Sequence, residues 1–296
     1  MPSNSPIHRG TTGPEKGCLY VVSTPIGNKN DITLRALKIL TSVDWIASED
    51  TRHTGKLLSA YQIKSRLISC HEYNEIKRIP DLIKKLLSGA SIALVSNAGT
   101  PTVSDPGYKL VVAAIANKIK VTPIPGVSAV VTALTAAGLP TDHFFFAGFL
   151  AKRKGKRLRQ LKSLAKQTGT IVIYESPRRV LDLIGAIIAA MGDRYGALAR
   201  EMTKIHEEFI RGRLTEIAAD LSARPEIKGE CTLLVSGCGG RDNITMEDIR
   251  KEIRSRLAEG DHRISDIAKE IAEKSGLSKN IIYQETLAIK NNRHLK

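Results

Sequence analysis

The sequence predicts an α/β protein of two α/β domains, a parallel doubly wound N-terminal sheet and a mixed second sheet, with a small helical domain at the C-terminal end. Three observations predict it. Before residue 125, short β-branched runs alternate repeatedly with segments whose apolar residues recur three and four apart. The alternation starts again at TDHFFFAGFL, and from Thr245 the pattern is wholly helical. The length allows this, since 296 residues at 42% hydrophobic and 25% charged content hold two real cores and an appendage.

Residues 1–16 are polar and read as a loose tail. GCLYVVST is a buried strand that stops at the turn signal Pro25-Ile26-Gly27-Asn28. Asp31 or Thr33 can cap the helix through LRALKIL. DWIASED is a second strand, ending in acids, and TRHTGKLLSAY is its helix. RLISCH is a third strand, followed by a helix around IPDLIKKLL. SIALVS, the fourth, opens into NAGTPTVSDPG (Asn97 to Gly107), and the helix DPGYKLVVAAIAN follows with Pro106 in its first turn. KVTPIPG completes a first domain spanning 17–124. Strand and helix in unbroken succession imply parallel strands with right-handed crossovers.

PGVSAVVTALTAAG, a helix of small residues, opens a second domain over 125–238. Its strands are TDHFFFAGFL, TIVIYE, GALAREMTK and GECTLLVSGC, with SPRRVLDLIGAIIAAMG a helix and EEFIRGRLTEIAADL a crossover. A Gly-rich linker, 239–244, leads to the helical domain, 245–296. There Thr245 and Asp248 approximate a capping box, and Gly260 ends the first helix. Two further helices, Ser265 to Ser275 and Ser278 to Lys290, resemble a helix-turn-helix with Ile267, Ala268, Ile271, Leu277, Ile281 and Ile282 as its core. Their nearly balanced charge suits a packing or dimer module as well as a nucleic-acid reader.

The net charge of +15 points to an anionic partner, most simply nucleic acid. With aromatics at 4%, base-stacking platforms have to be sparse. Cys18, Cys70, Cys231 and Cys238 show no CxxC spacing, and three of them sit in apolar or strand-like runs, as free thiols of a reducing compartment do. The longest apolar stretches are too short to span a bilayer, and the N-terminal tail lacks the apolar region of a signal peptide. A soluble cytoplasmic protein is expected.

Polar residues gather where the strands end. STPIGN, SEDTRHT, CHEYNE and NAGTP line one edge of the first sheet, and YESPRR and REMTKIHEE one edge of the second, which suggests an interdomain cleft. The Asn97–Gly107 loop has no lysine and no phosphate-binding fingerprint. It suits a neutral or zwitterionic ligand held by main-chain contacts, or else is an ordinary strand-to-helix connection. Asp50 or Thr51 can act as a helix cap, and His53, His71, His143 and His206 fit structural histidines, with no metal cluster in view. Arg178 and Arg179 stand at a helix start, against the helix dipole, which favours either an anion partner or a salt bridge to Glu175 or Glu201. Lys152, Arg153, Lys154, Lys156, Arg157, Arg159, Lys162 and Lys166 form a basic run without an acid, either an RNA-tracking surface or a solvated face.

STPIGN, EDTRHTGKLL, VSNAGTPTVSDPG, PIPGVSAVVTAL, YESPRR and REMTKIHEEFIRG together resemble the small-subunit ribosomal RNA methyltransferases of the tetrapyrrole-methylase-like class. The resemblance runs from about Gly17 to Gly237 and more loosely beyond. It implies S-adenosylmethionine as cofactor, folded into the interdomain cleft, a homodimer, and methyl transfer to the ribose 2′-oxygen of a decoding-centre cytidine in 16S ribosomal RNA of the small subunit. It places Pro25, Ala98, Thr100, Val103, Ser128 and Ala129 around the cofactor, with Tyr174, Ala199 and Thr232 near its adenosine. The porphyrinoid-modifying members have Asp where this chain has Thr100, and a more Gly-rich first loop, so the RNA branch is favoured. The attacking hydroxyl needs a proton acceptor. Asp50, Glu175, Glu201, Lys204 and His206 are the candidates, with Glu175 or Glu201 as acceptor and Lys204 helping. Arg52, Lys152, Arg153, Lys154, Lys156, Arg157, Arg178 and Arg179 are the expected RNA contacts. A tetrapyrrole-type small-molecule methyltransferase and a non-enzymatic nucleic-acid-binding protein are the competing classes.

Overall fold

The computed structural model describes residues 13–238, 246–258, 263–275 and 278–293. The first sheet holds β1 (Cys18–Val22), β2 (Trp45–Ser48), β3 (Arg66–Ser69), β4 (Ile92–Val95) and β5 (Lys120–Ile124), in the order β3-β2-β4-β1-β5. Every pairing in it is parallel. Its helices are α1 (Leu34–Ser42), α2 (Thr51–Ala60), α3 (Glu75–Leu87), α4 (Tyr108–Ala116) and α5 (Ala129–Ala137). Successive strand residues face opposite sides. Tyr20, Val22, Ile46 and Ala93 pack with Leu40 of α1 and Leu58 of α2. Leu19, Ala47, Ile92 and Leu94 pack with Leu82 and Leu86 of α3 and Leu110 of α4. Two apolar layers on one parallel sheet make the doubly wound fold that the sequence predicts.

Local chemistry sets the ends of these elements. Thr33, not Asp31, caps α1, its side chain accepting from the Ala36 N–H. α3 starts at Glu75, earlier than predicted, and accommodates Pro80 inside it on an exposed face. α4 starts at Tyr108, so Pro106 is not in its first turn. Gly107 sits at φ 114°, where only glycine is at ease, and the buried Glu75 carboxylate accepts from the Gly107 and Leu110 N–H groups. Glu75 thereby caps α4 from a neighbouring helix.

The second sheet holds β6 (Phe144–Phe149), β7 (Thr170–Glu175), β8 (Tyr195–Arg200), β9 (Glu208–Arg213) and β10 (Cys231–Val235), in the order β6-β7-β10-β8-β9. β9 corrects the expected crossover. Its sequence EFIRGR reads as polar because it is an edge strand, where charges are compatible with pairing on one side only. α6 (Lys154–Leu164), α7 (Pro177–Met191) and α8 (Leu214–Ser222) flank this sheet in sequence. α9 (Met246–Ala258), α10 (Ile264–Ser275) and α11 (Lys279–Arg293) close the chain around Ile249, Ile253, Ile267, Ala268, Ile271 and Ile282. Ile281 is 50% exposed and does not join that core, since its neighbour Ile282 takes the inward position. The capping Thr245, the terminator Gly260, the core residue Leu277 and the linker from 239 lie outside the described residues.

The described residues pack as two compact units. One is the chain to Ala136 with Ala199–Phe209 and Gly229–Thr232; the other is Ala137–Leu198, Ile210–Lys228 and the chain from Leu233. The first unit is already fastened at Glu15, whose N–H donates to the Tyr20 hydroxyl and whose carboxylate meets Lys120 Nζ at 2.6 Å. Cys18, Cys70 and Cys231 are buried and Cys238 is half-buried, and none of the four is in a disulfide. Among the described residues no helix is long and apolar enough to cross a membrane.

Candidate active site

Because the first sheet is parallel, the loops after its strands all emerge at one edge, the carboxyl edge, where open α/β sheets bind ligands. Three of them are stitched together. Thr24 and Gly99 exchange backbone hydrogen bonds of 2.8 and 3.0 Å. The Thr100 hydroxyl donates to the Val127 carbonyl at 2.9 Å and shares a hydrogen bond with Ser23 Oγ at 3.0 Å. The loops after β1, β4 and β5, which carry Pro25, Ala98, Thr100, Ser128 and Ala129, are therefore one rigid cluster. Pro25 is buried, Ala98, Ser128 and Ala129 are half-buried, and Val103 is exposed. With the Thr100 hydroxyl turned inward, what this cluster offers a ligand is uncharged backbone.

A fourth segment closes on the first loop. The Asn28 N–H donates to Thr203 Oγ1 at 2.9 Å, and a Cβ at Gly27 would stand 2.5 Å from Lys204 Cγ. Glu201 and Thr203 hold φ of 51° and 66°, a left-handed backbone that costs non-glycine residues about 1–3 kcal/mol each. Side chains over-determine the turn. Lys204 Nζ meets Glu201 Oε1 at 2.8 Å and Glu230 Oε2 at 3.2 Å, and the Glu230 N–H donates to Glu201 Oε1 at 2.9 Å. The Lys204 contact, with the Glu230 N–H, holds the Glu201 carboxyl below the usual range.

On the other side of β4 the edge opens into a cavity of about 530 Å³ between the ends of β2, β3 and β4. Glu49, Asp50, His71, Glu72, Asn97 and Asp105 are among its walls. Asp50 caps α2, accepting from the Arg52 N–H at 2.9 Å, and that bond holds its carboxyl low. Asp105 is the opposite case: burial pushes it up to about 6, with a Ser96 hydrogen bond opposing and the Glu49 charge adding. His71 Nδ1 and Asn97 Oδ1 are buried with no hydrogen-bond partner among the described residues, polar groups that a bound molecule could satisfy.

The remaining predicted residues fall in separate places. Tyr174 stacks edge-on against Phe146 and Phe149 at 4.9 and 5.5 Å. Ala199 and Thr232 are buried. The buried Glu175 carboxylate meets Arg179 Nη2 at 3.0 Å and accepts from the Ser176 N–H at 2.8 Å, so the salt-bridge reading holds for Arg179, while Arg178 is exposed. Arg52 is exposed, its nearest carboxylate being Asp50 at 3.5 Å. Lys152, Arg153, Lys154, Lys156, Arg159, Lys162 and Lys166 are exposed along α6 and its approach. Arg157 corrects the expected run: it is 4% exposed, with its guanidinium 2.8 Å from Asp182 of α7, because every third or fourth position of α6 must face the core. The His143 ring meets Asp142 at 3.0 Å, and His53 and His206 are exposed. Asp105 and Asn97 were visible in sequence only as polar loop residues, and His71 only as a structural histidine. No motif sets them apart, since the cavity depends on strand order.

A sequence profile of the tetrapyrrole (corrin/porphyrin) methylases matches residues 18–218. A protein of Synechocystis sp. named ribosomal RNA small subunit methyltransferase I is 44% identical over 277 residues, covering 92% of this chain and 98% of its own length. Its namesake from Halalkalibacterium halodurans is 43% identical over 275 residues, covering 91% and 94%. Among solved structures, a uroporphyrin-III C-methyltransferase from Thermus thermophilus, complexed with S-adenosylhomocysteine, superposes with a TM-score of 0.53 at 18% identity, covering 74% of this chain and 96% of that one.

Proposed function

We infer that this chain, which belongs to the tetrapyrrole methylase family and is an S-adenosylmethionine-dependent methyltransferase, methylates the ribose 2′-oxygen of a decoding-centre cytidine in 16S ribosomal RNA. The observation that carries the reading is the likeness, nearly end to end, to proteins named ribosomal RNA small subunit methyltransferase I. The net charge of +15 agrees with a polyanionic substrate.

The residues present fit the cofactor. Its amino-acid part is zwitterionic, and the stitched loops offer it uncharged backbone around Ala98, Thr100 and Val103, with Pro25, Ser128 and Ala129 beside them. We assign Tyr174, Ala199 and Thr232 to its adenosine. When bound, it supplies a methyl group already activated by a sulfonium, so the protein's task is alignment, exclusion of water and removal of one proton. The expected acceptors are both engaged, Glu175 with Arg179 and Glu201 with Lys204. Lys204 holds the Glu201 carboxyl low, which makes it a weak base, and we assign both pairs to holding their loops in place. Arg52, Arg178 and the exposed cations of α6 are the assigned phosphate contacts. α6 begins with cations at the positive end of its dipole, which an anion relieves. We further propose a homodimer, with the apolar stripe Tyr108, Val112 and Ile115, exposed on α4, as its surface.

The test is methyl transfer from labelled S-adenosylmethionine to small ribosomal subunits purified from cells lacking the enzyme, followed by nuclease digestion and mass spectrometry. A labelled 2′-O-methylcytidine is the expected product. A base-methylated nucleoside, or no label in RNA, would refute the assignment.

A further inference from the structure

The cavity beside the stitched loops has walls that choose its occupant. Its charged walls are Glu49, Asp50, Glu72 and Asp105 against the cation Arg52, and carboxylates are acceptors for hydroxyl groups, as in the acidic residues that hold ribose hydroxyls in dinucleotide sites. Its volume, about 530 Å³, lies within the range of pockets that hold small organic ligands. His71 Nδ1 and Asn97 Oδ1 give it two further polar groups with no hydrogen-bond partner among the described residues. The β4 loop serves both sides: Ala98 to Val103 belong to the stitched cluster, while Asn97, Ser104 and Asp105, at either end of the same loop, line the cavity. An acceptor in the cavity would share this short loop with the methyl donor assigned above to Ala98, Thr100 and Val103.

We propose that this cavity receives the ribose of the nucleotide to be methylated and that the Asp105 carboxylate accepts its 2′-hydroxyl proton. The proposal rests on the reaction inferred above. In the step, the O–H bond breaks towards Asp105 and the oxygen forms its new bond to the methyl carbon. The carbon–sulfur bond breaks with its electron pair left on sulfur, and a neutral carboxylic acid and a thioether result. Asp105, which the Asn97–Gly107 loop carries into the cavity, suits the task better than Asp50 or Glu201, since a general base works best with a pKa near the working pH. Burial places Asp105 at about 6, while Asp50 and Glu201 are held low. The charged and titratable groups around it are Glu49 and Asp50 at the end of β2, Arg52 in α2, and His71, Glu72 and Tyr73 after β3.

The experiment compares wild-type protein with Asp105→Asn on undermethylated small ribosomal subunits, reading 2′-O-methylcytidine by mass spectrometry across pH. S-adenosylhomocysteine affinity is measured alongside by calorimetry. The substitution should lower turnover by about 10²- to 10⁴-fold while leaving that affinity within about threefold. The wild-type rate should fall tenfold per pH unit below about 6, and the variant's residual rate should lack that acid limb. Turnover within about threefold of wild type overturns the proposal. So does a comparable loss of S-adenosylhomocysteine affinity, which would assign the hydroxyl-binding groups to the cofactor's own ribose. If the wild type itself makes no 2′-O-methylated nucleoside, the inferred reaction fails and this proposal falls with it, a result distinct from the other two.

Discussion

Asp105 carries a charge that its surroundings disfavour, and that has a consequence for stability apart from any reaction. Its carboxyl is pushed up to about 6 in the folded protein, above the ordinary value of 3.8. The folded state therefore holds the proton more tightly than the unfolded chain does, and Asp105 costs stability as pH rises between about 4 and 6. Above that window the cost is complete. Asp105→Asn removes the titration and should melt higher than wild type at pH 7.5, by no more than about 2 kcal/mol because the open cavity screens the charge. The gap should close by pH 4. Thermal unfolding at the two pH values checks this, and equal melting temperatures at pH 7.5 would contradict the burial of that charge. A protein that tolerates a stability cost at one cavity residue is behaving as functional sites do.

At the scale of elements, the sheet and its helices were legible because periodicity reports burial, and burial made both the strands and the apolar helix faces. What escaped was decided by contacts between distant residues. The start of α4 depends on Glu75, thirty-odd positions earlier in sequence, so Pro106 looked like a first-turn proline when it is not. β9 carries an edge strand's charges and so lacked the pattern of a buried one. The candidate site divides in the same way. The loop residues around Thr100 were legible through a resemblance to known motifs, but the cavity containing Asp105 follows from β2, β3 and β4 being neighbours, and sequence order alone does not give that. One loop contact can be tested directly. Gly27 leaves no room for a Cβ, which would meet Lys204 Cγ, Thr203 Oγ1 and the Met202 carbonyl at 2.5, 2.7 and 3.1 Å. Gly27→Ala should push the first loop off the Glu201–Lys204 turn and weaken S-adenosylhomocysteine binding about tenfold, with circular dichroism unchanged. Unaltered affinity would mean that this latch does not shape the cofactor site.

For the whole molecule the question is how much of the +15 charge is available to RNA. Each phosphate neutralised by a cation releases counterions, so log K against log salt falls by about 0.7 to 0.9 for every contact. Lys152, Lys154 and Lys156 are exposed at the start of α6, whereas Arg157, next in sequence, is buried on Asp182. The triple substitution of those lysines by alanine should flatten the salt slope of RNA binding by about 2 to 3 and leave the melting temperature unchanged. Arg157→Ala should do the reverse. It removes a buried stem and one side of an ion pair, lowering stability by about 1–3 kcal/mol with little change in the salt slope. Filter binding over a salt series, with melting curves for both variants, separates the two outcomes. If the lysine variant kept the wild-type slope, α6 would be an ordinary solvated face, and the RNA path would have to run over the other exposed cations, Arg52 and Arg178 among them.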